Sequence, residues 1–220
     1  MEGASANIDA ATESRGWARV FARFYDASFT LGEWAGMRAM RTALLSQARG
    51  RTLEIGGGTG LNLAHYPDAL DELILSEPEP AMRERLQRKL DRSGRSAQLL
   101  DVGAERLPLA DSSIDTVVCT LVLCTVDDPQ AALAEIARVL KSDGQLLLIE
   151  HVRSHSQRLA RWQDRFERPW RAFAVGCRCN RDTAARVAAA GFQLELREAS
   201  WRLMPPLVRP LICGRARLSR

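Results

Sequence analysis

One stretch, Arg51-Thr-Leu-Glu-Ile-Gly-Gly-Gly-Thr-Gly60, constrains this 220-residue chain more than any other. Its first half, 52–55, is a short apolar run bounded by glycine, the signature of a buried strand. Its second half places glycine at 56, 57, 58 and 60, so the backbone turns sharply and offers bare peptide for a ligand to lie against. Residues 61–66 can start a helix whose free N–H groups face that loop. Strand, glycine loop and helix N-terminus form a nucleotide-binding corner. The spacing excludes two common versions of it. A dinucleotide fingerprint beginning at Gly56 needs its last glycine at position 61, which is Leu61. A phosphate loop needs Gly-Lys-Ser/Thr, and none follows. What stands is Glu54-x-Gly56-x-Gly58-x-Gly60. An acid ahead of the glycines disfavours a phosphate and favours a ligand with a cationic amino-acid end. The same glycines also suit an ordinary strand–helix turn.

The next strand decides in favour of a ligand. Residues 73–76 form it, and Glu77 follows at its C-terminal end, where a carboxylate can accept hydrogen bonds from both hydroxyls of a ribose. Gly56 and Glu77 are one strand–helix–strand unit apart. Pro78 and Pro80 start a helix over 81–90, in which Met82 either flanks an adenine ring or packs in the core. This pattern resembles motif I of class I S-adenosylmethionine (SAM) methyltransferases. The resemblance implies that the segment after a third strand (97–100) holds the adenine edge, here through the backbone of Gly103, Ala104 and Glu105. It also places a residue just past strand four beneath the methionine part of the cofactor, which points to Thr120 and Leu121. Strand four is read over 113–119 and continues through 120–126. Asp127-Asp128-Pro129 starts a helix with Asp as N-cap and Pro at its first position. Strand five, 145–149, ends at Glu150 and His151, on the edge where open α/β sheets bind ligands. His151 is therefore the candidate general base, with a hydrogen-bonded structural histidine as the competing reading. The last two strands, 192–196 and 206–217, make an antiparallel pair.

Composition narrows the class further. At 46% hydrophobic and 26% charged residues the chain is globular, and its length suits a single domain over 1–220. Residues 1–15 read as disordered. Residues 16–48 read as two lid helices, in which Tyr25 of Phe24-Tyr25-Asp26 faces either the site or the core. The segment 154–175 carries Trp162, Phe166, Trp170 and Phe173 at helical spacing with Pro169 breaking the run. It suits a roof over a substrate pocket, a helix covering the sheet, or a foot on a membrane surface. The net charge of +4 is concentrated in 151–220, which fits a solvated face, or attraction to a membrane surface, nucleic acid or an acidic substrate. No apolar run is long enough to span a membrane and the N-terminus lacks an apolar secretory segment, so a cytoplasmic location is expected, with peripheral membrane contact open. Five cysteines, an odd number, read as reduced thiols. Alternate Cys119 and Cys124 read as small hydrophobes, and Cys177-Arg-Cys179 lacks a second ligand pair, so no metal site is expected.

Several blocks are similar to the methyltransferase-like 7 group, the thiol S-methyltransferases. They are Phe24-Tyr-Asp26, Leu53-Glu-Ile-Gly-Gly-Gly-Thr-Gly60, Val117-Val-Cys-Thr-Leu-Val-Leu-Cys124, Glu150-His-Val152 and Val208-Arg-Pro-Leu-Ile-Cys-Gly214. The resemblance implies an α/β, Rossmann-like fold: a seven-stranded, mostly parallel sheet with one antiparallel strand and helices on both faces. It implies SAM as methyl donor, S-adenosylhomocysteine as product and a small, apolar thiol as acceptor. The expected cofactor residues are Glu54, Gly56, Gly57, Gly58, Gly60, Glu77, Pro78, Met82, Gly103, Ala104, Glu105, Thr120 and Leu121, with His151 and Tyr25 as catalytic candidates. Motif I is equally shared with phospholipid and quinone methyltransferases, and a module that binds SAM without turnover carries the same residues. No Asn-Pro-Pro-aromatic or Pro-Cys motif is present to hold a flipped base, so a nucleic-acid acceptor is not expected. The oligomeric state is left open.

Overall fold

The computed structural model describes the backbone of residues 2–219 and the side chains of residues 16–219, so the disorder expected of 1–15 lies outside the fully described residues. The chain opens with helix α1 (Glu2–Gly32) and α2 (Arg38–Leu45), joined by a π-turn at Glu33–Met37 where Gly36 leaves helical backbone at φ 136°. Then come β1 (Arg51–Ile55), β2 (Glu72–Ser76), α3 (Pro80–Ser93), β3 (Gln98–Leu100), β4 (Ile114–Thr120), α4 (Pro129–Val139) and β5 (Leu140–His151). Helices α5 (Gln157–Arg165), α6 (Glu167–Phe173) and α7 (Thr183–Ala189) lead to β6 (Phe192–Ser200) and β7 (Pro210–Leu218).

The seven strands form one sheet in the order β3-β2-β1-β4-β5-β7-β6. Only β7 runs antiparallel to its neighbours, as the sequence led us to expect. The central strands are almost continuously apolar because both faces are covered. Side chains alternate between two cores. Leu53, Val117, Leu146 and Leu148 pack with Leu133 and Ile136 of α4 on one face. Leu75, Val118, Leu147 and Ile149 pack with Leu44 and Leu45 of α2 and Leu86 of α3 on the other. The chain runs outward from β1 to β3 and then returns to β4, so the strand order reverses between β1 and β4. Ligands bind outside the C-terminal ends of the strands at such a reversal.

Several expected boundaries move, each for a local reason. Residues 61–66 form no α-helix, only a 3-10 turn at Leu63–His65. Pro67 pushes the residue before it out of helical backbone, and Tyr66 is extended at φ −72°, ψ 142°. Strand four stops at Thr120 and does not run on through 126, because Leu121 turns into left-handed backbone at φ 60°. Pro169 does not break its helical run: it sits in the first turn of α6, where a missing N–H costs nothing, and the break falls at Phe166. Residues 206–208 form a 3-10 turn, so β7 begins at Pro210.

Gly214 shows how tightly the antiparallel edge is built. It lies in β7 between β5 and β6, opposite Leu148 and Leu196. A Cβ at this position would stand 2.2 Å from the backbone oxygen of Glu195. Gly214→Ala must therefore displace a strand backbone, not a flexible side chain. We expect it to lower unfolding free energy by about 2 kcal/mol or more, read as an earlier midpoint in urea denaturation.

Candidate active site

A cavity of about 540 Å³ opens at the C-terminal ends of β1, β2, β4 and β5. That size falls within the range of small-molecule sites. Its lining includes Gly56, Gly58, Glu77, Pro78, Met82, Gly103, Ala104, Glu105, Thr120 and Leu121, ten of the residues expected to hold a cofactor, together with Tyr25 and His151.

The glycine loop divides its labour. Gly56 and Gly58 both take left-handed backbone, at φ 65° and 56°. A Cβ on Gly58 would meet nothing nearer than the Gly56 carbonyl at 4.0 Å, so it would project into the open cleft. The space beside Gly58 exists because there is no side chain to fill it. Gly60 was expected to bind but does not line the cavity. Its missing Cβ leaves room, at 2.9 Å, for Leu63 and for Leu86 of α3. Gly57 also packs on Leu86 while bordering a small side recess of about 30 Å³.

Glu77 is held from two sides. Its carboxylate accepts hydrogen bonds from the Gly58 N–H at 2.7 Å and from the Glu79 N–H at 2.9 Å. Burial raises its pKa above the ordinary carboxylate value, and these two bonds oppose the rise. The acid thus fixes the glycine loop against the end of β2 and keeps further lone pairs for a diol.

Glu54 borders the side recess and is held by other side chains of the protein. It is 2% exposed, and its two oxygens accept from the Asn62 amide and the Tyr66 hydroxyl, each at 2.8 Å. Burial pushes it up to about 7, offset in part by those two bonds. Arg41 of α2, itself buried, donates to Asn62 Oδ1 at 2.8 Å and pairs with Glu33 at 3.0 Å. The side recess is lined by Arg41, Glu54, Asn62, Thr120 and the glycines, so the cation nearest the loop is Arg41. The sequence reading missed Arg41, which is one arginine among many. It also missed Asn62 and Tyr66, although their i, i+4 spacing directly after the loop was a usable signal.

Helix α1 closes over the loop. Asp26 accepts from the Thr59 hydroxyl and pairs with Lys89 of α3 at 3.0 Å, which pins the helix to both. That pin places Tyr25 in the cavity wall. Its ring packs edge-on against Phe21 at 5.4 Å and Phe29 at 4.6 Å. Phe29 lies 5.1 Å from Trp201, and Trp201 stacks on His151 at 5.6 Å. Burial holds the Tyr25 phenol well above its ordinary pKa, so it stays neutral.

His151 ends β5 and is 4% exposed. Burial lowers it to about 4, against a smaller opposing effect of the Val208 and Pro210 backbone. The ring is neutral at pH 7, and its Nδ1 has no partner among the described residues. The preceding residue, Glu150, points to the other face. It accepts from the N–H groups of Val122 and Leu123 at 2.8 and 2.9 Å and of Cys124 at 3.3 Å. This carboxylate, and not strand pairing, shapes the turn after β4. Among the described residues no group of three or more metal-ligating side chains could hold a metal ion.

The sequence matches the family described as a methyltransferase domain over residues 53–148. It is 34% identical over 207 residues to the thiol S-methyltransferase TMT1B of Rattus norvegicus, covering 86% of this chain and 83% of that protein. It is 32% identical over 138 residues to a phosphatidylethanolamine N-methyltransferase of Cereibacter sphaeroides, covering 60% of this chain and 66% of that one. A solved SAM-dependent methyltransferase of Thermotoga maritima shares the fold, with a TM-score of 0.65 at 24% identity over 92% of this chain and 100% of that one. Fold and site together define a class I SAM-dependent methyltransferase. Within that class the chain belongs to the family that includes the thiol S-methyltransferase TMT1B.

The residues present fit SAM. The open cradle at Gly58 and the bare backbone of Gly56 suit close approach by a ligand, Glu77 suits the ribose diol, and Met82 with 103–105 suits the adenine. Arg41 and Thr120 border the small recess beside the glycine loop. Bound there, SAM supplies an electrophilic methyl group on a sulfonium.

Two expectations follow. Glu77→Ala removes the carboxylate suited to the ribose diol and frees the glycine loop, so the calorimetric Kd for SAM should rise by roughly tenfold to a hundredfold, about 1.4–2.7 kcal/mol. The second concerns pH. The unfolded chain protonates His151 near 6.5, whereas the folded site resists until about 4. The unfolded state binds more protons in that window, so stability falls as pH drops through it, by about 3 kcal/mol at the limit. Glu54 and Glu150, raised from 4.5 to about 7, act in the opposite sense, losing stability as pH rises through their window. The difference between wild type and His151→Gln isolates the histidine: in denaturant titrations the variant should lose less stability on acidification.

Proposed function

We propose that this protein methylates the sulfur of a small apolar thiol. The observation that carries the reading is the wall of the cavity beyond the cofactor residues. Phe21, Tyr25, Phe29, Trp170, Trp201 and Val208 line it, with the neutral His151 among them. Such a wall suits an apolar acceptor that needs one proton acceptor and no fixed charge. A thiol has a pKa near 8.5 and needs only alignment, exclusion of water and a place for its proton. His151 is a weak base, but the S–H proton becomes strongly acidic once its sulfur is being alkylated. The Nδ1 lone pair is then sufficient to receive it. The neutral Tyr25 closes the same wall without adding a charge. Similarity to TMT1B over most of both chains supports the acceptor class.

A second reading has its own support. The phosphatidylethanolamine N-methyltransferase of Cereibacter sphaeroides is a relative. Exposed apolar side chains collect along α1 and beside it, with Phe24 54%, Leu31 66%, Trp34 84% and Leu203 63% exposed. Arg19 and Arg23 accompany them on α1, a pattern suited to peripheral contact with an anionic lipid surface. Among the described residues no helix is long and apolar enough to cross a membrane. The five free cysteines suit a reducing compartment such as the cytoplasm.

The experiment is release of S-adenosylhomocysteine from SAM with a panel of small alkyl and aryl thiols, run beside phosphatidylethanolamine vesicles. We expect turnover with thiols, and a kcat for His151→Ala lower by on the order of a hundredfold. Turnover with vesicles alone would move the acceptor to a lipid amine. An unchanged kcat in the variant would remove His151 from the chemistry.

A further inference from the structure

Methyl transfer leaves two groups in the cavity wall unused. Cys124 closes the turn that Glu150 holds, and Cys177 follows α6. Both are buried, their sulfurs lie 3.8 Å apart, and both line the cavity that holds Tyr25 and His151. The other three cysteines, Cys119, Cys179 and Cys213, do not line it.

The backbones that carry the pair are already joined. The Arg178 N–H donates to the Cys124 carbonyl at 2.9 Å. The Arg181 guanidinium donates to the carbonyls of Leu123 and Val126 at 2.6 and 2.8 Å. Just before Cys177 the chain takes left-handed backbone twice in succession, at Val175 (φ 44°) and Gly176 (φ 97°). A β-branched residue there is a strained choice, and strain of this kind gathers at working sites. Here it turns a thiol toward a second thiol. The Cys177 thiol donates to the Cys124 sulfur, and the hydrogen bond between the two lowers the Cys177 pKa against the cost of burial while Cys124 is pushed up. One member of the pair is thus the better thiolate and the other remains a thiol, the division of roles in a dithiol exchange site.

We infer that Cys124 and Cys177 form a dithiol site that reduces small apolar disulfides, the oxidised form of the acceptor class proposed above. The choice of ligand rests on that thiol reading; the pairing of the two cysteines does not. The Cys177 thiolate attacks one sulfur of the disulfide, the S–S bond breaks, and the first thiol leaves with a proton from solvent. Cys124 then gives up its proton and attacks the Cys177 sulfur of the mixed disulfide, and the second thiol leaves. The organic disulfide gains two electrons and becomes two thiols; the protein dithiol loses two electrons and becomes a Cys124–Cys177 disulfide. A soluble dithiol reductant resets it. The thiols are released inside the cavity where a methyl acceptor is expected to sit.

The probe is 2,2′-dipyridyl disulfide, added without oxygen at one equivalent to the fully reduced full-length protein. Released thiopyridone is read by absorbance, and peptides are mapped by mass spectrometry after alkylation. We expect two equivalents of thiopyridone, no retained adduct and a Cys124–Cys177 linked peptide. Cys124→Ser should release one equivalent and keep the adduct on Cys177, and Cys177→Ser should react at least about tenfold more slowly. Adducts confined to Cys119, Cys179 or Cys213, with no Cys124–Cys177 link in the wild-type protein, would overturn the inference without any variant having to fold. Thiol methylation by the reduced protein is measured separately. Linkage without thiol methylation supports the dithiol site and removes the acceptor reading; methylation without linkage removes the dithiol site alone.

Discussion

The buried network centred on Glu54 is the constraint on which the site depends. A carboxylate at 2% exposure is costly unless its oxygens are occupied. Here Asn62 and Tyr66 occupy them, and Arg41 holds Asn62 in place while its own charge is paired with Glu33. These five residues come from the sheet, from the segment after the glycine loop and from the two N-terminal helical segments. Satisfying one acid therefore fixes three pieces of backbone at once. The glycine loop, whose one side chain, Thr59, is tied to Asp26, sits against this polar network and is held by Glu77 from the other side.

A second carboxylate performs the same service on the opposite side of the cleft. Glu150 and His151 are consecutive, so the pleat of β5 sends them to opposite faces. Glu150 gathers three N–H groups of the turn after β4, and His151 stands in the cavity wall beside Trp201. One dipeptide thus supplies a scaffold on one face and a cavity-lining imidazole on the other. The two halves of the cavity differ accordingly. The cofactor side is made of backbone, glycine and acid; the far side is aromatic rings, thiols and one neutral imidazole.

Much of this was legible in the sequence because it is local. Strand, glycine loop and Glu77 at the end of the next strand fall within one strand–helix–strand unit, and the Asp128 N-cap lies directly before its own helix, so period and turn chemistry speak directly. The single antiparallel strand followed from resemblance. What escaped depends on partners far away in the chain. Nothing near Arg41 marks it as the donor to Asn62, 21 residues on, across a turn and a strand. The extension of strand four to 126 failed because its terminator, Glu150, lies 26 to 28 residues downstream. The failed helix at 61–66 is different, since Pro67 was visible and its effect on Tyr66 is a local rule. Asp26 was noticed only as a neighbour of Tyr25, yet its bond to Thr59 sets where that tyrosine points.

Helix α1 has two duties that are separable in description but not in space. Through Asp26 it latches onto the loop that receives the cofactor, and through Phe21, Tyr25 and Phe29 it forms one wall of the remaining cavity. A single element that is both latch and wall ties the two sides of the cavity together. Loosening Asp26 from Thr59 would therefore shift the aromatic side of the cavity as well as the glycine loop, so the two compartments are mechanically coupled through one helix.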